Sequence, residues 1–296
     1  MLISTEATAD PFPARDLNPL LSGFGLPSAL PARIADDSWS FAADFNWAST
    51  ALAQRAGSER LIVDAEIREM RLTLGRSWSN GFAARLETPY RYTGGGVLDA
   101  AIDSWHDAFG LPEGARAAMP RDRIRIAYAR GNNVLLDMQA PQAGIGDVSL
   151  DVGRSLGSST RGNAAAWLSV KLPSGDADRF TGSGAPDVSL ALAGDRRLGE
   201  NWSVFGQAGV TRLGDGERFP KLQEDIVWSG LAGIGWRAWG GLELKAQIDV
   251  HTAVFDEADV DFLGDAIVLT VGGDYRFVSG WQLDVAVSED IAVESA

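Results

Sequence analysis

From Ile226 to Val250, apolar and polar residues alternate in two runs separated only by Trp239, Gly240 and Gly241, which is the pattern of a β-hairpin. The first run puts Ile226, Trp228, Ala232, Ile234 and Trp236 on one face, and the second puts Leu242, Leu244, Ala246, Ile248 and Val250 on one face. Glu243, Lys245, Gln247 and Asp249 form the other face of the second run. Successive strand side chains point to opposite sides of a sheet, so this ribbon has one oily surface and one ionic surface. Each run has about ten residues, the length of a tilted strand that crosses a bilayer.

The same alternation recurs along most of the chain. Residues 1–37 are the exception: Pro11, Pro13, Pro19, Pro27 and Pro31 with Gly23 and Gly25 predict an extended N-terminal segment without regular structure. Trp39, Phe41, Ala43, Phe45 and Trp47 then mark a first strand. In the second, Leu61, Val63 and Ile67 share one phase and Met70, Leu72 and Leu74 the other, which predicts a bulge near Arg68. Asn80-Gly81 turns the chain into a third strand with Phe82, Ala84 and Leu86 outward and Arg85 and Glu87 inward. A long loop over 92–121 carries helical spacing at Leu98, Ile102, Trp105 and Phe109, so one short helix is expected there. Arg123 and Arg125 alternate with Ile124, Ile126 and Tyr128 in a fourth strand, and Val134, Leu136 and Met138 mark a fifth. Asp147-Val-Ser-Leu150 returns as Asp187-Val-Ser-Leu190, each opening a strand, a hairpin-scale echo. With strands near 164–172, 201–211, 266–277 and 281–288, the reading is about thirteen strands.

Short turns at 80–81, 131–133, 157–162, 199–201, 240–241 and 279–280 alternate with mostly longer polar connections near 51–58, 92–121, 139–146, 173–186, 212–225 and 251–264. Tight turns at one rim and larger loops at the other are the habit of transmembrane barrels. Closure is also what lets strands lie in lipid, where an open edge leaves backbone groups unpaired. The predicted fold class is all-β: a transmembrane antiparallel up-and-down β-barrel over 38–296, with the 92–121 helix in a long extracellular loop. The alternative is a soluble all-β protein whose oily faces pack together. Such barrels usually have an even number of strands with both ends at the short-turn rim. Thirteen leaves the last strand at the wrong rim, so a fourteenth is expected, missing from this sequence or supplied by another chain.

Composition narrows the compartment. No run approaches the eighteen continuous apolar residues of a helical span, and the mean hydropathy of −0.05 is that of a barrel in which inward residues dilute the lipid-facing ones. Ten Trp and 34 Gly fit aromatic girdles and many turns. The absence of Cys excludes disulfides and thiolate metal sites, and a net charge of −14 argues against nucleic acid as a partner. Met1-Leu-Ile-Ser-Thr-Glu6 has neither the cationic nor the apolar region of a signal peptide, so a signal peptide, if one exists, has been removed or lies upstream.

Several runs also carry a resemblance: Arg15-Asp-Leu-Asn-Pro-Leu20 with Phe24-Gly-Leu-Pro27, then Tyr92, Gly94-Gly95-Gly96, Leu98-Asp99, Trp105-His106 and Phe109-Gly-Leu-Pro112, and Glu289-Asp290-Ile291. On these the chain resembles an uncharacterised (domain of unknown function) proteobacterial family of outer-membrane β-barrel proteins. The resemblance spans nearly the whole chain, and the run from Trp105 to Pro112 is its most specific part. It implies the fold and a place in the bacterial outer membrane, and it supplies no catalytic residues. It also implies one more strand with an aromatic end after Ile291.

Inward phases nominate lumen-lining residues: Arg71, Arg85, Glu87, Arg123, Arg125 and Asp137 on one side, Glu243, Lys245, Asp249, Asp274 and Arg276 on the other. Across an aqueous lumen they select solutes by charge and size; in a closed lumen they are ion pairs. Leu98, Ile102, Trp105, His106 and Phe109 form the expected loop plug. The functional expectation is an outer-membrane channel or binding protein for a small solute, with a closed-lumen structural or assembly-partner barrel as the alternative and a lipid-modifying enzyme third. For the enzyme, His106 with Ser104 and Asp103 is the one arrangement to weigh, and neighbours this close in sequence diverge around a helix. No cofactor or metal is expected, since the acidic run from Asp256 to Asp261 lacks a calcium-loop register and reads as solvated. Expected partners are membrane lipid, a small solute and a protein or oligomer contact.

By this register Leu244→Arg, on the lipid face, should destabilise the barrel by about 2–4 kcal/mol and Gln247→Arg, on the lumen face, should do little. Folding titrations into lipid vesicles measure both.

Overall fold

The computed structural model describes residues 10–98, 100, 104, 122–255 and 258–292. Its strands are β1 (Trp39–Ala56), β2 (Glu59–Ser77), β3 (Phe82–Gly94), β4 (Arg125–Arg130), β5 (Asn133–Met138), β6 (Gln142–Ile145), β7 (Val148–Ser159), β8 (Gly162–Leu172), β9 (Asp187–Leu198), β10 (Trp202–Arg212), β11 (Ile226–Trp239), β12 (Leu242–His251), β13 (Ala266–Arg276) and β14 (Gln282–Asp290). They make one 14-stranded antiparallel sheet in which β7 through β14 are consecutive neighbours. The opening hairpin of the sequence reading is β11–β12, with Trp228, Ile234, Trp236, Leu244 and Ile248 exposed and Glu243, Lys245 and Gln247 buried. Period two places every second residue on the lipid side, and the outer surface from β7 to β14 is a continuous band of Leu, Val, Ile and Trp.

Three outward faces fix where the membrane lies. Trp39 and Trp47 on β1, Phe82 and Tyr90 on β3, and Trp228 and Trp236 on β11 are pairs eight residues apart, and all six rings are exposed. Eight residues span about 27 Å along a strand and about 20 Å of height at the usual tilt. Each pair therefore brackets the apolar band with one ring near each interface.

Above that band the rules reverse, which corrects the expected bulge in β2. The β1–β2 ladder runs without a register shift from Trp39↔Arg76 to Ala56↔Glu59. One phase of β2 faces inward throughout: Leu61, Val63, Ala65 and Ile67 above, Glu69, Arg71 and Thr73 below, all buried. The apolar pattern changes phase because the surroundings do: lipid outside and polar groups inside lower down, water outside and a dry core inside higher up.

The upper part is completed by a hairpin. β4 pairs with β2 over Glu59–Asp64 and β5 with β4, while β3 pairs with β2 below and with β6 and β7 on its other edge. The turn at 131–132 therefore lies beside the β1–β2 turn, with Gly131 N–H donating to Ser58 O at 2.8 Å. This overturns the strict alternation of connections, since the turn at 57–58 is tight and that at 131–132 shares its rim. It also corrects Arg123, Arg125 and Asp137 as lumen residues. Ile126 and Tyr128 face inward at 0% and 1% exposure, so Arg125 and Asp137 pair on the outer side at 3.7 Å and Arg123 is exposed.

Leu72 and Ile62 share the outward phase of β2 on either side of this boundary. Leu72→Arg should cost about 2–4 kcal/mol and Ile62→Arg no more than about 1 kcal/mol, as read from urea titrations in vesicles; equal costs would move the membrane boundary upward.

Candidate functional site

The inside of the sheet is occupied by the segment that the sequence marks as irregular. At the short-turn rim, Asp10 O accepts from Lys245 Nζ at 2.9 Å and its carboxylate pairs with Arg276 at 3.3 Å. The chain then rises beside β12. Phe12 N–H donates to Gln247 Oε1 at 2.8 Å and Phe12 O accepts from Gln247 Nε2 at 3.2 Å, so one side-chain amide stands in for a neighbouring strand. Higher still, Arg15 pairs with Glu87 at 2.8 Å and Asp16 with His251 at 3.2 Å. Between Asn18 and Phe24 the chain turns over, closed by Leu21 N–H to Asn18 O and Phe24 N–H to Leu21 O at 3.0 Å each.

It descends along β8–β10. Gly25 N–H donates to Asp187 Oδ2 at 2.8 Å, Leu30 N–H to Gln207 Oε1 at 2.8 Å and Gln207 Nε2 to Ser28 O at 3.3 Å. Trp167 Nε1 donates to Pro31 O at 3.0 Å, and Asp37 meets Arg76 at 3.0 Å back at the short-turn rim. Five prolines suit such a path, because each removes a backbone donor that no strand here could pair.

The turn of the segment is seated in the largest apolar core. Leu20, Leu21 and Phe24 pack with Leu61, Val63, Ile126, Tyr128, Val254, Phe255 and Leu263. Beneath the turn, Lys171 at the end of β8 donates to Gly23 O at 3.0 Å and to Ser183 Oγ, and pairs with Asp147 at 2.7 Å and Asp187 at 3.0 Å. The two aspartates are the first residues of the echoed Asp-Val-Ser-Leu runs, so the repeat delivers one carboxylate from each side of β8. Arg218, in the connection between β10 and β11, lies 4.1 Å over Phe180 and donates to Leu20 O at 3.0 Å. Burial away from water pulls its pKa down to about 10, which leaves it a cation at neutral pH.

At mid-height Arg71 and Arg91 pair with Glu69, and Arg71 and Arg85 approach Glu87 at 3.4 and 3.9 Å. Lower down, Lys245 lies 3.1 Å from Asp274 and 3.0 Å from Asp284, and Ser203 donates to Glu243 at 3.1 Å. Asp249 accepts from Gln247 Nε2 at 2.8 Å. The structure thus puts Arg71, Arg85, Glu87, Glu243, Lys245, Asp249, Asp274 and Arg276 inside, mostly in ion pairs and several against the segment. Gln247 at 1% exposure is a clamp, so the expectation that Gln247→Arg is harmless is withdrawn: it breaks both hydrogen bonds to Phe12 and sets a cation beside Lys245.

Of the expected loop plug, Ile102, Trp105, His106 and Phe109 lie outside the described residues, as does most of 97–109. Leu98 is placed on the outer side of the wall, where its N–H donates to Glu66 Oε1. Glu66 shares the outward phase of Arg68 and Met70, so the loop leaves β3 outside the lumen, and it is the N-terminal segment that fills the interior. Ser104 Oγ donates to Ala100 O at 2.8 Å, which engages the hydroxyl considered for catalysis. Among the described residues no cluster of metal-binding side chains occurs. Between the two limbs of the segment, Arg15, Asp16, Leu26, Glu69 and Asp249 border a cavity of about 60 Å³.

A family model described as "Protein of unknown function (DUF3187)" matches residues 3–296. The chain belongs to this family. No curated protein matches it. Among solved structures it is similar to the COG4313 outer membrane channel from Pseudomonas putida F1, at 13% identity and a TM-score of 0.57, over 89% of this chain and 91% of that one. The Pseudomonas putida toluene transporter TodX aligns at 10% identity and a TM-score of 0.43, over 86% of this chain and 74% of that one. A Pseudomonas aeruginosa FadL homologue aligns at 10% identity and a TM-score of 0.42, over 86% and 67%. The first of these likenesses supports the fold. With the lipid-facing band and its two levels of aromatic rings, the protein is an outer-membrane β-barrel.

Lys171→Met leaves Asp147 and Asp187 buried without their cation. It should destabilise the fold by about 3–5 kcal/mol and expose the turn of the segment to protease, read by urea titration and by chymotryptic cleavage after Phe24; a loss below 1 kcal/mol would show that Lys171 is not what fastens the turn.

Proposed function

We propose that this protein is an outer-membrane channel for small solutes whose lumen is closed at rest by residues 10–37. The observation that carries the reading is the path of that segment: it enters and leaves the lumen at the same rim, beside Arg276 at one end and Arg76 at the other. A hairpin with both ends at one rim moves aside without threading through the wall. What it leaves behind is a wall of Arg71, Arg85, Glu87, Lys171, Glu243, Lys245 and Asp274, ionic enough to hold water. The COG4313 protein is named as an outer membrane channel, which fits the same role. The second reading, a closed-lumen structural or assembly-partner barrel, draws on the dry core around Leu20, Leu21 and Phe24.

Planar-bilayer recordings separate the two. Gln207→Leu with Gln247→Leu leaves amide groups at Phe12, Ser28 and Leu30 unsatisfied, at about 1–3 kcal/mol for each buried group, so the open fraction should rise at least tenfold over the unaltered chain. A variant that folds and inserts yet conducts no more than the unaltered barrel favours the closed lumen.

A further inference from the structure

The charges on the inner wall balance on one flank of the first limb and not on the other. On β2, β3 and β7, Arg71, Arg85 and Arg91 meet Glu69, Glu87 and Asp151, a carboxylate for each cation. On the flank where Asp10 and Phe12 lie, β12 to β14 turn Glu243, Asp249, Asp274 and Asp284 inward against Lys245 and Arg276. Both cations are shared: Lys245 lies 3.1 Å from Asp274 and 3.0 Å from Asp284, and Arg276 lies 3.5 Å from Asp274 and 3.3 Å from Asp10 of the segment. Glu243 and Asp249 are met by neutral donors, Ser203 Oγ at 3.1 Å and Gln247 Nε2 at 2.8 Å. Arg237, opposite Glu243 on β11, adds a cation at the short-turn rim and still leaves this flank acidic.

The rim above continues the same sign. The connections over 173–186, 213–225 and 252–265 are tied to one another by backbone hydrogen bonds, Glu217 N–H to Ser183 O and Glu224 N–H to Val254 O, each at 2.9 Å. Among their described residues eight exposed carboxylates, Asp215, Glu217, Asp225 and Asp261 among them, stand against the exposed cations Arg179 and Lys221. Arg123 and Arg125 of the upper hairpin do not offset them at the lumen, since both are on the outer side. Charge of one sign along an aqueous path with low-dielectric walls focuses its field and gathers ions of the other sign.

We propose that the path uncovered by the first limb admits small cations in preference to anions, with Glu243 and Asp249 setting the preference and the acidic loops raising the cation concentration at the entrance. The proposal rests on the reading of the barrel as a channel. When the limb withdraws, Asp10 leaves with it, and the wall that remains at this flank has more carboxylates than cations.

The permeability ratio of potassium to chloride, read from the reversal potential across a planar bilayer with a potassium chloride gradient, does not depend on how often the channel opens. Gln207→Leu with Gln247→Leu supplies the openings, and rare openings of the unaltered chain supply the same ratio where that variant does not fold. Potassium should be about threefold more permeant or better in about 0.1 M salt and less favoured in about 1 M, where the Debye length shrinks from about 10 Å to about 3 Å. Adding Glu243→Gln with Asp249→Asn should bring the ratio close to unity. A ratio at or below unity, or one that the two neutral side chains leave unmoved, overturns the cation preference and leaves the channel standing. A barrel that conducts in neither form removes the channel, and this proposal with it.

Discussion

A backbone that runs through the inside of a sheet cannot use the sheet's ladder, because the N–H and C=O groups of the wall are already paired with neighbouring strands. Its own polar groups must be met by side chains, since a buried amide without a partner is expensive. That requirement accounts for much of the inner wall. Gln247 and Gln207 each answer a donor and an acceptor of the N-terminal segment, Trp167 and Lys171 answer carbonyls, and Asp187 answers Gly25 N–H. The segment helps in turn, with prolines that remove donors. A barrel wider than the eight strands that side chains alone can fill has room for this arrangement and needs something like it to stay dry.

The wall has two storeys with opposite rules. In the lower one lipid lies outside, and charged pairs and the limbs of the segment lie inside. In the upper one β1 and β2 continue past the membrane, β4 and β5 join them, and the inside is an apolar core seating Leu20, Leu21 and Phe24. β2 passes through both without a break, so its inward phase is Leu, Val and Ile above and Glu, Arg and Thr below.

That difference explains which parts of the molecule were legible in the sequence. In β11 and β12 the alternation contrasts lipid with lumen for the full length of the strand, and both faces are where the pattern puts them. In β2 and β4 the pattern compares two surroundings that exchange character at the membrane boundary. Ile67 and Leu72 therefore face opposite ways in one straight strand, and Arg125 points out while Ile126 points in. Period two says which residues share a face and is silent on what lies against it. For the same reason Arg71, Glu87 and Lys245 looked like the lining of an aqueous pore, although they also bind the segment or ion pairs around it. The destination of residues 10–37 was not legible, because prolines and glycines report only that no ladder forms. One signal did point toward Lys171: the echo of Asp147 and Asp187 on strands that flank β8.

The two storeys also grip the segment unequally. Its limbs are held by hydrogen bonds and ion pairs that water can replace, each with a net worth of about 0.5–1.5 kcal/mol for neutral partners, and by the buried side chains of Phe12 and Leu30. Its turn buries Leu20, Leu21 and Phe24, each about 1.5–3 kcal/mol by area, with Lys171 and Arg218 fastened to its carbonyls. Pulling the whole hairpin out through the short-turn rim must break both sets. Swinging a limb away from Gln247 or Gln207 with the turn still seated breaks only the first, and the ionic wall it uncovers is the part of the interior best able to hold water. Of the two motions, the partial one has the lower cost, because it breaks the contacts of one limb alone, and it leaves the dry core intact as a pivot.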